Sequence, residues 1–220
     1  MLDLLKNFFD IVLHIDWYVE HWALIYHVWV YLFMFIIIFC ETGLVVTPFL
    51  PGDSLIFAAG AVAAMPSNPL NIFFLIPLLF FAAFSGDNSN FFIGKFLGSK
   101  VYEKDYKLIK REYLTRTHAF YERHGGSTLI IARFIPIIRT FAPFVAGVGT
   151  MRYLRFFLFS ILGNILWVNL FSWGGFFFGN IPIIRKNFSL VIIAIIFVSL
   201  LPVIIGAIKK MTERNVEKEI

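Results

Sequence analysis

Long apolar runs interrupted by a few clustered polar residues divide the chain. A helix needs about 20 consecutive apolar residues to cross the hydrocarbon of a bilayer. Residues 156–184 and 187–208 carry no charge and predict two spanning helices. Residues 72–94 predict a third, provided Asp87 is tolerated within it.

Two further apolar segments do not read as simple spans. The first, over residues 28–66, runs apolar from Val28 to Cys40, meets Glu41, Gly43, Pro48, Pro51, Gly52 and Asp53, and resumes as Ser54 to Ala64. The second, over residues 128–150, meets Arg133, Pro136, Arg139 and Pro143 before Ala146-Gly147. Pro and Gly at that density stop a helix, and each remaining half is too short to cross. Non-helical backbone at membrane depth persists only where protein or a wet cavity satisfies its polar groups. Both segments therefore predict re-entrant helical hairpins with broken tips.

The two halves share a weak pattern. Phe49-Leu50-Pro51 precedes Asp53 and a small-residue stretch ending at Gly60; Phe134-Ile135-Pro136 precedes Arg139 and a stretch ending at Gly147. Each is followed by a predicted span, one with Gly86-Asp87-Asn88 and closing at Gly98, the other with Gly163-Asn164 and closing at Gly179. Paired interrupted segments in two halves point to a transport site between repeats. The fold class expected is an all-α integral membrane protein, an inverted-repeat-like bundle with two opposed re-entrant hairpins and about three spanning helices in a single domain over 1–220.

Residues 95–124 form the one long polar stretch, with eight Lys and Arg against Glu103, Asp105, Glu112 and Glu122. A basic excess places such a segment in the cytoplasm; it reads as a surface-lying helix or as a solvated loop. Counting spans from there puts the tail 209–220, with Lys209, Lys210 and Arg214, on the cytoplasmic side and opens the two hairpins toward opposite faces. Residues 1–27, with Asp3, Asp10, Asp16 and Glu20 against Lys6, lack the basic start of a cleavable signal. They lie on the outer surface, or residues 17–41 form a fourth, tilted span that puts the N-terminus inside.

Composition strengthens this picture. Of 220 residues, 59% are hydrophobic and 15% charged, against about 45–50% and 25% in a soluble domain, and mean hydropathy is +0.80. Disordered, collagenous and nucleic-acid-binding classes are excluded. The net charge of +5 is accounted for by cytoplasmic basic loops. Cys40 is the only cysteine, so no disulfide framework arises. The histidines lack metal-ligand spacing, and no phosphate-binding Gly-rich loop or Gly-x-Ser-x-Gly elbow is present. No metal, cofactor or catalytic set is expected. The five Trp residues fit interfacial belts or packing.

Charges inside the broken segments carry the functional signal. A lone charge in a membrane costs about 2.5–3.5 kcal/mol on insertion scales. Glu41 and Asp53 lie in the first hairpin, Arg133 and Arg139 in the second, so meeting tips would compensate them. The alternatives are a boundary cap for Glu41, a helix N-cap for Asp53, snorkelling for the arginines and a pair with Lys95 for Asp87. Arg presents a planar, permanently charged fork suited to phosphate, and a desolvated carboxylate can carry a proton. The expected roles are substrate binding for Arg133 and Arg139 and proton coupling for Glu41 and Asp53, with Asp87, Pro51, Gly52, Pro136 and Pro143 lining the cavity.

Glu41-Thr-Gly, Pro48-Phe-Leu-Pro-Gly-Asp-Ser54, Gly86-Asp87, Tyr121-Glu-Arg-His-Gly-Gly126 and Arg133-Phe-Ile-Pro-Ile-Ile-Arg139-Thr-Phe-Ala-Pro-Phe-Val-Ala-Gly147 resemble the DedA family over nearly the whole chain. The resemblance implies a multi-pass bacterial inner-membrane protein with opposed re-entrant hairpins, in a family tied to membrane homeostasis and proton-motive-force-dependent tolerance, some members of which translocate undecaprenyl phosphate or phospholipid. The family's essential acids and arginines map onto Glu41, Asp53, Arg133 and Arg139. The expected partners are membrane lipids, a polyprenyl phosphate or phospholipid substrate and protons, with a homo-oligomer left open. A lipid-phosphate flippase ranks first, because two arginines favour an anionic substrate. A proton-coupled antiporter for small cations or drugs and a non-transporting assembly factor are the alternatives.

Overall fold

The structure is a computed structural model that describes residues 14–26, 28–44, 52–66, 70–103, 126–149, 151–195 and 197. Every regular element among them is a helix: α1 (Ile15–Tyr26), α2 (Trp29–Gly43), α3 (Gly52–Ala63), α4 (Ile72–Glu103), α5 (Ser127–Ala132), α6 (Pro136–Val148), α7 (Tyr153–Phe178), α8 (Pro182–Lys186) and α9 (188–195).

Among the described residues, two helices are long and apolar enough to cross a membrane, Ile72–Gly98 within α4 and Tyr153–Phe178. Their outward faces carry Phe73, Phe81, Leu154, Leu170 and Phe177, all exposed, as lipid-facing side chains are. The third expected span, 187–208, opens on a turn at 187 and is helical over 188–195 and at 197; 196 and 198–208 lie outside the described residues, as does the tail 209–220. Residues 17–41 fall on two helices, α1 and α2, with a turn at Val28, so they are not one tilted span.

Two expected boundaries are corrected. The helix expected over 72–94 continues to Glu103, so residues 95–103 are its last turns and not the start of a separate surface segment; 104–125 lie outside the described residues. A glycine inside a helix costs only about 1 kcal/mol, and here Gly98 lets α4 approach α6: an added Cβ would lie 3.1 Å from Val148 Cα. The run expected to be one helix over 156–184 stops at Phe178. Ile181 is extended (φ −62°, ψ 130°) and Pro182 opens α8, since a proline drives the residue before it out of the helical region.

Helix packing is reciprocal between the halves. The helix after the first break, α3, packs along α7, and the helix after the second break, α6, packs along α4. The glycines that close the two repeated stretches make these crossings: a Cβ on Gly60 would enter the Ser172 backbone, and one on Gly147 the Phe91 backbone. Close backbone approach through small residues is how helices associate where lipid supplies no hydrophobic drive. The main core gathers Ile38, Ile56, Leu75, Leu79 and Trp167; a smaller one gathers Phe91, Leu129, Ala146 and Phe156. The charged groups lie where the two halves meet.

Candidate functional site

The ends of the broken helices deliver the charges. Glu41 sits in the last turn of α2, Asp53 in the first turn of α3, Arg133 just after α5 and Arg139 in the first turns of α6. Asp53 is thus inside its helix, where the positive helix end favours a carboxylate. Glu41, Asp53, Asp87, Arg133 and Arg139 are all buried, Glu41 at 0% exposure, so neither a boundary cap nor snorkelling describes them.

Arg139 reaches both Glu41 and Asp53: one terminal nitrogen donates to Glu41 Oε1 and the other to Asp53 Oδ1. This guanidinium links the end of α2 and the start of α3 to α6. Arg133 goes elsewhere. It pairs with Asp87 on α4 and donates to Asn164 Oδ1 on α7 at 2.8 Å. The expected alternative of an Asp87–Lys95 pair is therefore replaced by Asp87–Arg133: Asp87 faces the interior, whereas Lys95 is exposed. Asp87 Oδ2 also accepts from Ser160 Oγ at 2.6 Å and Asn164 Nδ2 at 2.9 Å. Gly86-Asp87 and Gly163-Asn164, paired in the repeat, thus converge on the same arginine.

Trp167 joins the two sets. Its indole Nε1 donates to Asp53 Oδ1 at 2.9 Å. The ring centroid lies 4.9 Å from the Arg139 guanidinium carbon and 5.8 Å from that of Arg133, within cation–π range. Asn90 fixes the backbones around the site, donating to the carbonyls of Thr42 at 3.1 Å and Thr140 at 2.6 Å, each next in sequence to a charged residue.

Among the expected lining residues, Asp87 and Pro143 do border a cavity of about 10 Å³, together with Arg133, Arg139, Phe156 and Ser160. That is room for about one water. Gly52 lies against Glu41, whose carboxylate occupies the space a Cβ would take. Pro51 and the Pro136 side chain lie outside the described residues.

Sequence reasoning passed over Asn90, Ser160, Asn164 and Trp167 as site residues. Their signal was helical spacing: 160, 164 and 167 share one face of α7, and 87 and 90 one face of α4. A polar stripe on an otherwise apolar spanning helix marks the side that faces protein. Charge bookkeeping adds a constraint. Three carboxylates meet two guanidiniums, leaving one formal negative charge. Among the described residues, Glu41 Oε2 and Arg139 Nε are buried with no hydrogen-bond partner within bonding distance.

Comparison with known proteins agrees with this architecture. A VTT domain model matches residues 50–177. The chain is 50% identical to Protein DedA of Escherichia coli (strain K12), over 94% of this chain and 95% of that one. It is 44% identical to an uncharacterized membrane protein of Mycobacterium tuberculosis (strain ATCC 25618 / H37Rv), over 82% of this chain and 79% of that one. Inner membrane protein YqjA of Escherichia coli (strain K12) is 32% identical over 71% of this chain and 70% of its own length. No solved structure matches. With its helical bundle, two apolar spans and conjoined halves, the chain is a membrane protein of the VTT-domain, or DedA, family.

Proposed function

We propose that the protein carries a lipid phosphate, undecaprenyl phosphate or a phospholipid, across the inner membrane in a proton-coupled cycle, with the C-terminus cytoplasmic and the broken segments 28–66 and 128–150 inserted as re-entrant hairpins. The observation that carries this reading is the buried pairing of Arg139 with both Glu41 and Asp53 across the hairpin junction. A guanidinium held by carboxylates is a phosphate site in waiting, because carboxylate and phosphate compete for the same planar fork.

Protonating Glu41 or Asp53 removes an acceptor and frees Arg139 for phosphate. The one surplus negative charge gives a proton a place in the set. A proton and a singly charged lipid phosphate then bind together, so the net charge of the set does not change in a medium where added charge is costly. The helices α2, α3 and α6 favour re-entrance by length: at about 1.5 Å per residue, none reaches the roughly 30 Å of the hydrocarbon.

A second reading, proton-coupled antiport of a small cation, is favoured by one observation, the excess of acids over bases once Asp87 is included. The discriminating experiment uses purified protein in liposomes. Transbilayer movement of a polyprenyl phosphate, accelerated by an imposed pH gradient, supports the first reading. Cation-dependent collapse of the gradient with no lipid movement supports the second. Neither signal, in protein shown to be folded, assigns the buried charges to architecture alone.

A further inference from the structure

A second concave site lies away from the buried charges, at the end of the α7 span. It is a cavity of about 620 Å³ bordered by Trp17 and Tyr18 of α1, Arg185 and Lys186 at the end of α8, and Phe188 and Ser189 at the start of α9. That volume falls in the range of small-molecule sites. Arg185 and Lys186 are consecutive and exposed, and neither is in a salt bridge among the described residues. Arg185 lies 3.9 Å from Met65 Sδ, a neutral thioether that offsets none of its charge.

Three features of the surroundings select the ligand. Helix α9 begins here, its first turn formed by Leu190 and Val191 donating to the Asn187 carbonyl, so the positive helix end adds to the two cations. Trp17, more than half exposed and stacked on His21, is the amphipathic ring type that settles at headgroup level. Ile183 and Leu190, beside the cavity in sequence, are exposed at 76% and 62% and offer an apolar surface to acyl chains.

We propose that this cavity binds the phosphate of an anionic phospholipid headgroup at the membrane–water boundary, with the acyl chains lying along Ile183 and Leu190. A basic pocket beside a spanning helix is the arrangement by which membrane proteins hold anionic headgroups. This site stands whether or not the buried set transports a lipid, since no residue is shared between them.

The test uses the full-length protein in detergent, with native mass spectrometry read against added phosphatidylglycerol, phosphatidylcholine or inorganic phosphate. Wild-type protein is expected to bind phosphatidylglycerol more tightly than phosphatidylcholine. The double variant Arg185→Gln/Lys186→Gln is expected to lose about tenfold or more of that affinity while phosphatidylcholine binding stays the same. Arg185→Gln alone, expected to show an intermediate loss, serves if the double variant does not fold. Equal phosphatidylglycerol affinity in wild type and variant overturns the site, as does a wild type without preference for the anionic lipid. Inorganic phosphate bound as tightly as phosphatidylglycerol, and lost in the variant, assigns the pocket to the free anion and overturns the lipid assignment.

Discussion

Trp167 and Asp53 are joined by an indole N–H to carboxylate hydrogen bond of 2.9 Å, across 114 residues of chain. Through it the spanning helix α7 holds the first turn of α3, while the same ring lies against Arg139. One side chain therefore positions an acid on α3 and a base on α6.

Trp167→Phe keeps the ring and removes the donor. A hydrogen bond to a charged group contributes about 1.5–3 kcal/mol, so thermal unfolding in detergent should report a loss of that order, with transport falling in parallel. Trp167→Ala also empties a fully buried site and should cost about 3–5 kcal/mol. A Phe variant with wild-type stability and transport would show that the indole N–H has no part in holding Asp53.

The arginines separate phosphate recognition from charge balance. Lys supplies a point charge without paired planar donors. If Arg133 and Arg139 bind phosphate, Arg139→Lys and Arg133→Lys should each lower lipid-phosphate transport in liposomes by about tenfold or more at matched protein levels. Activity near wild type in both variants, or recovery of function when Asp53 and Arg139 are exchanged, would assign the pairs to structure instead.

Glu41→Gln and Asp53→Asn preserve shape and remove the titrating group. Both should abolish pH-gradient-driven transport while the protein stays in the membrane. Complementation of a deletion strain by both variants at wild-type level would remove these carboxylates from proton coupling. Loss of Asp53→Asn protein from the membrane would point to its place at the positive end of α3.

Gly52 offers a steric test of the Glu41 position. In Gly52→Ala the new Cβ would fall on the Glu41 carboxylate, forcing it away from Arg139. Overpacking of this kind costs about 1–3 kcal/mol, and transport should fall with it. Gly174→Ala is the control, because its Cβ would meet Phe57 ring atoms at an ordinary 3.7 Å. Melting temperatures that fall equally in the two variants would contradict the placement of Glu41.

Re-entrance of the first hairpin is read from its ends. In a variant with Cys40 replaced, cysteines at Val28 and Pro66, both exposed, should label from the same side of the membrane. Labelling from opposite sides would make 28–66 a spanning segment.

What was legible in the sequence rests on local physics. A charge-free run discloses most of α7, and an apolar run interrupted by Asp87 discloses most of α4, because crossing hydrocarbon depends on composition over about 20 residues. The breaks before Gly52 and Pro136 follow from proline and glycine chemistry within a few residues. Glu41, Asp53, Arg133 and Arg139 stood out because a charge in such a run is expensive wherever it points. The choice of partners had no local signature. Arg139 meets Glu41 and Asp53 at separations of 98 and 86 residues, and Arg133 meets Asp87 across 46. Those pairings arise only when α3 lies on α7 and α6 on α4. The same crossings decided that Gly98 would not end α4 and that Trp167 would be buried beside two guanidiniums. Propensity and hydropathy act along a segment, whereas the pairing of buried charges depends on which helices share a contact.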